Sequence, residues 1–209
     1  MHERVLPAGS RELLAALEGL KTPELDGWTL AGGTGLALVV GHRVSEDFDF
    51  FRMDPFRVER LLSVLRTVGP SETLQMDEST LTVLLMGVKL SFFSVPDPFL
   101  FDRRSYRFFG LADVRDIALM KLAAVSSRGS RKDFVDLYTI LRGSLDLEQV
   151  FEWLPDKYGE GRINSYHVLK SLTYFEDAES EPMPRMLEPF DWEECKAFFV
   201  REAHAIVLP

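Results

Sequence analysis

Cysteine is nearly missing from this chain. Cys195 stands alone among 209 residues, so no disulfide can form within it, a usage that suits a reducing compartment. Long apolar runs are missing too, and none reaches the ~20 residues that a membrane-crossing helix needs. Met1 to Leu14 lack a basic start followed by an apolar core, so no secretory leader is expected. Together these absences predict a cytoplasmic protein with no membrane contact. Basic charge is also in deficit: 24 Lys and Arg face 33 Asp and Glu, a net charge of −9. Cut after residue 112, the chain holds 12 basic and 15 acidic residues, then 12 and 18, so neither part is basic. A protein that wraps nucleic acid normally carries a basic face. Contact here would need a local patch, with Arg103, Arg104 and Arg107, or Arg128, Arg131 and Lys132, as candidates. Ordinary solvated charge is the plainer reading of the first group.

Periodicity divides the chain into a mixed part and a helical part. Ser10 reads as the N-cap of a helix carrying Leu13, Leu14, Leu17 and Leu20. A short strand, Trp28 to Ala31, runs into Gly32-Gly33-Thr34 and a brief helix ending near Gly41. Asp47 to Phe51 reads as a strand, and Arg57 to Thr67 as a helix with Val58, Leu61, Leu62 and Leu65 on one stripe. Thr80 to Leu85 and Val88 to Val95 form a hairpin turning at Met86-Gly87. Beyond residue 112 helical periodicity dominates, over Asp113 to Ser127, Arg131 to Leu141, Leu147 to Trp153, Ser165 to Tyr174 and Trp192 to Ala205. Residues 176–189, acidic and proline-rich, read as an extended connector. The fold class expected is α+β: a core domain over residues 1–112 with a small mixed sheet and flanking helices, then a helical region over 113–209.

Two constellations carry chemistry. On a strand, alternate side chains share a face, so Asp47 and Asp49 project together while Phe48 and Phe50 turn to the core. Paired carboxylates repel unless they share a proton or a cation neutralises them. Oxygen donors of this kind suit Mg2+, or Mn2+, which keeps waters and shares substrate phosphates. Upstream, Gly32 and Gly33 let the backbone approach an anion at a helix N-terminus, and Thr34 supplies a hydroxyl at the same spot. Either feature alone has a bland reading, a solvated strand end or a capped turn. In this order, with one short helix between them, they form a phosphate site beside a metal site.

The second constellation lies in the helical part. Lys121 falls opposite the polar face set by Arg115, Asp116, Ser126 and Ser127, among Val114, Ile117, Ala118 and Val125. There it needs an anionic partner, a lowered pKa or a path out past its neighbours. Asp133 sits at the edge of the next helix's apolar face, with Asp136 on its polar side. A shared polar pocket or a structural ion pair both fit. Asp116 is expected to serve the helix dipole from the surface, and Arg43 to lie at the surface or reach a triphosphate. His2, His167, His204 and Cys195 show no metal-ligand spacing.

The order Gly32-Gly33-Thr34, 12 further residues, then Asp47-Phe48-Asp49-Phe50 resembles the polymerase-β-like nucleotidyltransferase superfamily. More narrowly, GGTGLALVVGHRVSEDFDFF, Asp116 through Lys121, and Arg131-Lys132-Asp133-Phe134 are similar to the AbiEii/AbiGii-type nucleotidyltransferase toxin family. The resemblance runs from about residue 28 to 142 and more loosely through Leu172 to Ala178 and the Trp192 helix. It implies transfer of a nucleoside monophosphate from a nucleoside triphosphate, with Gly32, Gly33 and Thr34 at the nucleotide and Asp47 and Asp49 on the metal. Lys121 then binds the triphosphate or stabilises developing charge, and Asp133 positions Lys121 or helps activate the acceptor. An RNA end such as tRNA is the acceptor it implies, and a cognate antitoxin the partner. The slot for the third carboxylate frequent in the superfamily holds Ser91, so either two carboxylates suffice for one metal, or the acid comes from elsewhere, or the site is altered. A small-molecule or protein nucleotidylating enzyme, and a catalytically reduced interaction module, are the alternatives.

Overall fold

The computed structural model describes residues 1–143 and 145–207. The chain divides into two compact units, Met1–Asp113 and a second from Val114 onward.

In the first unit, seven strands among the described residues form one mixed sheet, ordered β3-β4-β5-β2-β1-β7-β6. They are β1 (Thr29–Leu30), β2 (Phe48–Arg52), β3 (Ser71–Met76), β4 (Thr80–Leu85), β5 (Val88–Ser94), β6 (Arg104–Tyr106) and β7 (Phe109–Leu111). β2 runs parallel to β5 and antiparallel to β1, which is in turn parallel to β7. Alternation sorts the residues by face. Leu81, Val83, Leu85, Leu90, Phe92, Phe48, Phe50, Leu30 and Leu111 are fully buried and share one side through the strand registers. Asp49, Ser91 and Thr82 sit side by side on the other.

Helix α1 (Ala8–Leu20) packs on β5, and α3 (Val58–Arg66) on β4. The stripe Val58, Leu61, Leu62 and Leu65 is buried, worth about 1.5–3 kcal/mol for each side chain. Helix α2 (Gly32–Val40) links β1 to β2 and ends at Gly41, whose φ of 82° gives the left-handed stop. The β4–β5 hairpin turns where Met86 and Gly87 take φ of 51° and 80°, the positive pair of a tight two-residue turn.

The second unit holds α4 (Val114–Arg128), α5 (Arg131–Gly143), α6 (Leu147–Glu152), α7 (Leu154–Tyr158), α8 (Ser165–Ser171), α9 (Glu176–Glu179) and α10 (Trp192–Ala205). Helix α4 packs on α5, α6 and α8, and α10 packs on α5. Phe134, Phe175, Trp192 and Phe199 form its aromatic centre, with ring centroids 5.1–6.1 Å apart where they meet.

Several expectations shift. Pro7, not Ser10, precedes α1, and Ser10 is buried within it. Asp47 lies one residue ahead of β2. Residues 176–189 include the short α9, so they are not wholly extended. Strands β3, β6 and β7 have no counterpart in the sequence reading: β3 is exposed and lacks an apolar alternation, and the other two have three residues each.

Candidate active site

The glycine turn and the acid pair meet at the junction of β1, α2 and β2. Gly32 adopts φ +62°, a conformation that β-carbon-bearing residues rarely hold. A Cβ there would stand 2.9 Å from Asp49 Oδ2, so the missing side chain is what lets the turn lie against the carboxylate. Ala31 N–H donates to the Asp49 carbonyl at 3.1 Å and fixes the turn to β2. A Cβ on Gly33 would stand 2.3 Å from Arg43 Nη2, so a guanidinium packs directly beneath the second glycine. Arg43 is only 5 % exposed. The surface placement of Arg43 is therefore corrected, and a fixed positive charge backs the turn.

Thr34 also departs from expectation. It is 1 % exposed, and its hydroxyl bonds the Asp47 carbonyl and lies 2.7 Å from Ser45 Oγ. One hydroxyl carries one proton, so Thr34 donates to the carbonyl and accepts from Ser45. Thr34 ties the turn to the residue that precedes β2, and Asp47 is held by its backbone while its carboxylate remains half-exposed.

Across the sheet, Asp49 pairs in register with Ser91 of β5, and Ser91 pairs with Thr82 of β4 at 3.4 Å between hydroxyl oxygens. The slot beside Asp49 is thus occupied by a neutral hydroxyl. Among the described residues no group of three or more His, Cys, Asp or Glu could hold a metal ion. Asp49 at the glycine-cleared turn and Asp47 two residues before it, both half-exposed, fit a magnesium-type ion, which takes one or two carboxylates and fills its shell with water and phosphate oxygens.

In the helical unit, Lys121 is 4 % exposed and its Nζ lies 2.8 Å from Asp133 Oδ1 and 2.6 Å from Asp136 Oδ2. Arg128 closes on Asp133 through Nε at 2.7 Å and Nη2 at 3.0 Å. Burial alone would strip the charge from Lys121, but Asp136 and Asp133 outweigh it and raise its pKa. Burial would likewise raise the Asp133 carboxyl, yet Lys121 and Arg128 hold it below the ordinary carboxylate range. Lys121 and Asp133 do come together, as the reading of the two helices implied.

Two placements are overturned. Asp136, expected on the polar side of α5, is fully buried and shares Lys121. Asp116, expected at the surface, is fully buried and paired with Lys157 Nζ at 2.9 Å. Helical periodicity marks faces relative to one neighbour; α4 and α5 are each covered from several sides, so their second faces are buried as well. Spacing did hold one usable signal, since Asp136 lies three residues after Asp133 and so one turn along the same helix.

Of the two basic patches considered, Arg107 is engaged by Glu3 and Glu18, Arg103 by Thr29, Arg131 by Glu179 and Arg128 by Asp133. Burial pushes the Cys195 thiol up, consistent with the absence of chemistry assigned to it.

Residues 15–205 match the family model for the nucleotidyl transferase AbiEii toxin of type IV toxin–antitoxin systems. A protein of Aquifex aeolicus strain VF5, described as uncharacterized, is 39% identical over 181 residues, 83% of this chain and 84% of its own length. Among solved structures, MenT4, a nucleotidyltransferase toxin from Mycobacterium tuberculosis H37Rv, matches with a TM-score of 0.56 at 19% identity, covering 93% of this chain and 80% of that one. JHP933 from Helicobacter pylori matches with a TM-score of 0.53 at 17% identity, covering 93% and 89%. At those identities the structural likeness speaks for the fold alone. With the family model spanning most of its length, the chain belongs to the AbiEii family of nucleotidyltransferase toxins and is on that ground an NTP-dependent nucleotidyltransferase.

Proposed function

We propose that the protein moves a nucleoside monophosphate from a nucleoside triphosphate onto an RNA end, as the toxin of a toxin–antitoxin pair. The observation that carries this reading is the fit of Gly32 against Asp49: the turn suited to phosphate and the carboxylate suited to a cation share one space that a single Cβ would fill. Backbone N–H groups of the Gly32-Gly33 turn and the N-terminus of α2 cradle phosphate oxygens. Arg43, buried beneath Gly33, adds positive charge that needs no reorganisation on binding. Asp47 and Asp49 are the residues to hold a divalent ion, which when bound offsets phosphate charge and orients the reacting groups.

Lys121 and Asp133 serve the same reaction in this reading, but not as loose side chains. With two carboxylates on Lys121 and a guanidinium on Asp133, their network holds Arg128, whose side chain is 57% exposed, in a fixed direction. Arg128 is then an outward cation of the helical unit, and Lys121 a positioning residue. The antitoxin is an expected partner through the family, and its encoding beside the toxin is part of the same proposal.

Incubating the protein with each labelled triphosphate, Mg2+ and total RNA tests the reading. Label should enter RNA with wild type and be lost in Asp49→Asn, while thermal melting stays unchanged. Label entering a protein or small-molecule pool instead would move the assignment to a nucleotidylating enzyme of other acceptors. No transfer to any pool would sink it.

A further inference from the structure

We propose that a cavity between α3 and the 3-10 turn at Pro23–Leu25 is a second anion site, built to take the phosphate group of a nucleotide or of single-stranded RNA. The cavity, of about 160 Å³, is lined by Pro23, Glu24, Arg52, Phe56, Arg57, Arg60 and Leu61. Three arginines converge on one pocket in a chain whose net charge is −9. That concentration runs against the protein's own charge balance.

Each wall is set by the fold. Arg52 ends β2 on the side of Phe48 and Phe50, the side opposite to Asp49, so this pocket is distinct from the candidate active site. Its guanidinium stacks over the Trp28 ring at 5.2 Å, and its side chain is 22% exposed. Arg52 Nε is buried without a hydrogen-bond partner among the described residues. A buried guanidinium N–H without an acceptor is costly, so the Arg52 wall of the cavity carries an unsatisfied donor. Trp28 is itself fixed, donating from Nε1 to the Glu24 carbonyl at 2.9 Å.

Helix α3 supplies the second contribution. Arg57 precedes its first turn and no side chain caps that end. Arg57 and Arg60 both line the cavity, which places it beside the first turn of α3, the positive end of the helix dipole. Two carboxylates oppose them: Glu24 lines the cavity and bonds the Thr22 hydroxyl, and Asp54 Oδ2 stands 4.0 Å from Arg52 Nη2. Three positive charges still outnumber these two. The planar fork of arginine matches phosphate oxygens, and the half-exposed Phe56 ring, 5.0 Å from Trp28, offers a surface for a nucleobase.

The site stands independently of the transferase reading, and one titration separates them. The 209-residue chain in EDTA, without divalent cation, is titrated calorimetrically with inorganic phosphate, AMP and a ten-nucleotide single-stranded RNA. Saturable binding that falls at least tenfold in Arg60→Gln, with the melting temperature kept, is the expected result. RNA binding more tightly than AMP would identify the polymer as the source of the phosphate, and equal affinities the mononucleotide. Arg52→Gln should weaken binding as well; because Arg52 packs on Trp28, Arg60→Gln carries the decision if that variant unfolds. No saturable binding, unchanged affinity in Arg60→Gln, or displacement by a polyglutamate peptide of equal charge as readily as by RNA would each overturn the site.

Discussion

The two units treat the same residue type in opposite ways. In the sheet unit, Asp47 and Asp49 stay half-exposed, one just ahead of β2 and one on it, beside a turn cleared of side chains. In the helical unit, Asp116, Asp133 and Asp136 are completely buried, each within reach of a lysine that is itself buried. Carboxylates taken out of water need their counter-charge built in, because desolvation of an unpaired ion costs several kcal/mol. The second unit therefore holds a network that folding completes, while the proposed function asks the half-exposed acids of the first to take a cation together with the substrate.

The largest test of this contrast is Lys121→Ala. It strands Asp133 and Asp136, and losing one partner of a buried pair costs about 3–5 kcal/mol. Urea unfolding should register that loss. A fully stable but inactive Lys121→Ala would break the comparison, by making Lys121 a ligand-facing group like the sheet unit's acids.

Acid should also separate the units. The Asp133 carboxyl titrates below its ordinary value, so its stabilising contribution is present above about pH 4 and is lost as pH falls through the lowered value. The raised Lys121 pKa acts at the other extreme, with stability lost only as pH rises beyond the ordinary lysine range. Amide exchange in α4 and α5 should therefore rise at acid pH before that in β4 and β5. Simultaneous loss would remove the distinction.

Gly32→Ala probes the sheet unit. It forces a left-handed residue, at about 1–2 kcal/mol, and places a methyl against Asp49. Melting should drop modestly while Mg2+-dependent triphosphate binding, followed by calorimetry, is lost. Normal binding would show that the space beside Asp49 is not used.

Ser91→Ala should have the smallest effect. Its cross-strand contact with Thr82 is worth about 0.2–1 kcal/mol, and a neutral hydroxyl adds little to a cation beside Asp49. Activity near wild type is expected in the labelled-triphosphate assay. A complete loss would mean that Ser91 is an essential ligand.

The sequence by itself determined the parts governed by short-range rules. Strand alternation set Asp49 on the face of β2 away from the buried Phe48 and Phe50, and Met86-Gly87 marked the hairpin because two positive-φ residues must sit there. The α3 stripe and the Trp192–Ala205 helix followed from a 3.6-residue period. The apolar position of Lys121 called for an anion, a lowered pKa or a path out, and packing chose the anion. Tertiary structure alone decided which groups answer one another. Lys157 reaches Asp116 from 41 residues away, Arg43 lies beneath Gly33, and Arg52 shares a cavity with Arg57 and Arg60 after an intervening turn. Thr34 was legible as a hydroxyl at the turn, but only the path of the chain into β2 could spend that hydroxyl on the Asp47 carbonyl. Periodicity reports the face a residue shares with its own element. Partners on other elements are fixed by packing, which no local pattern encodes.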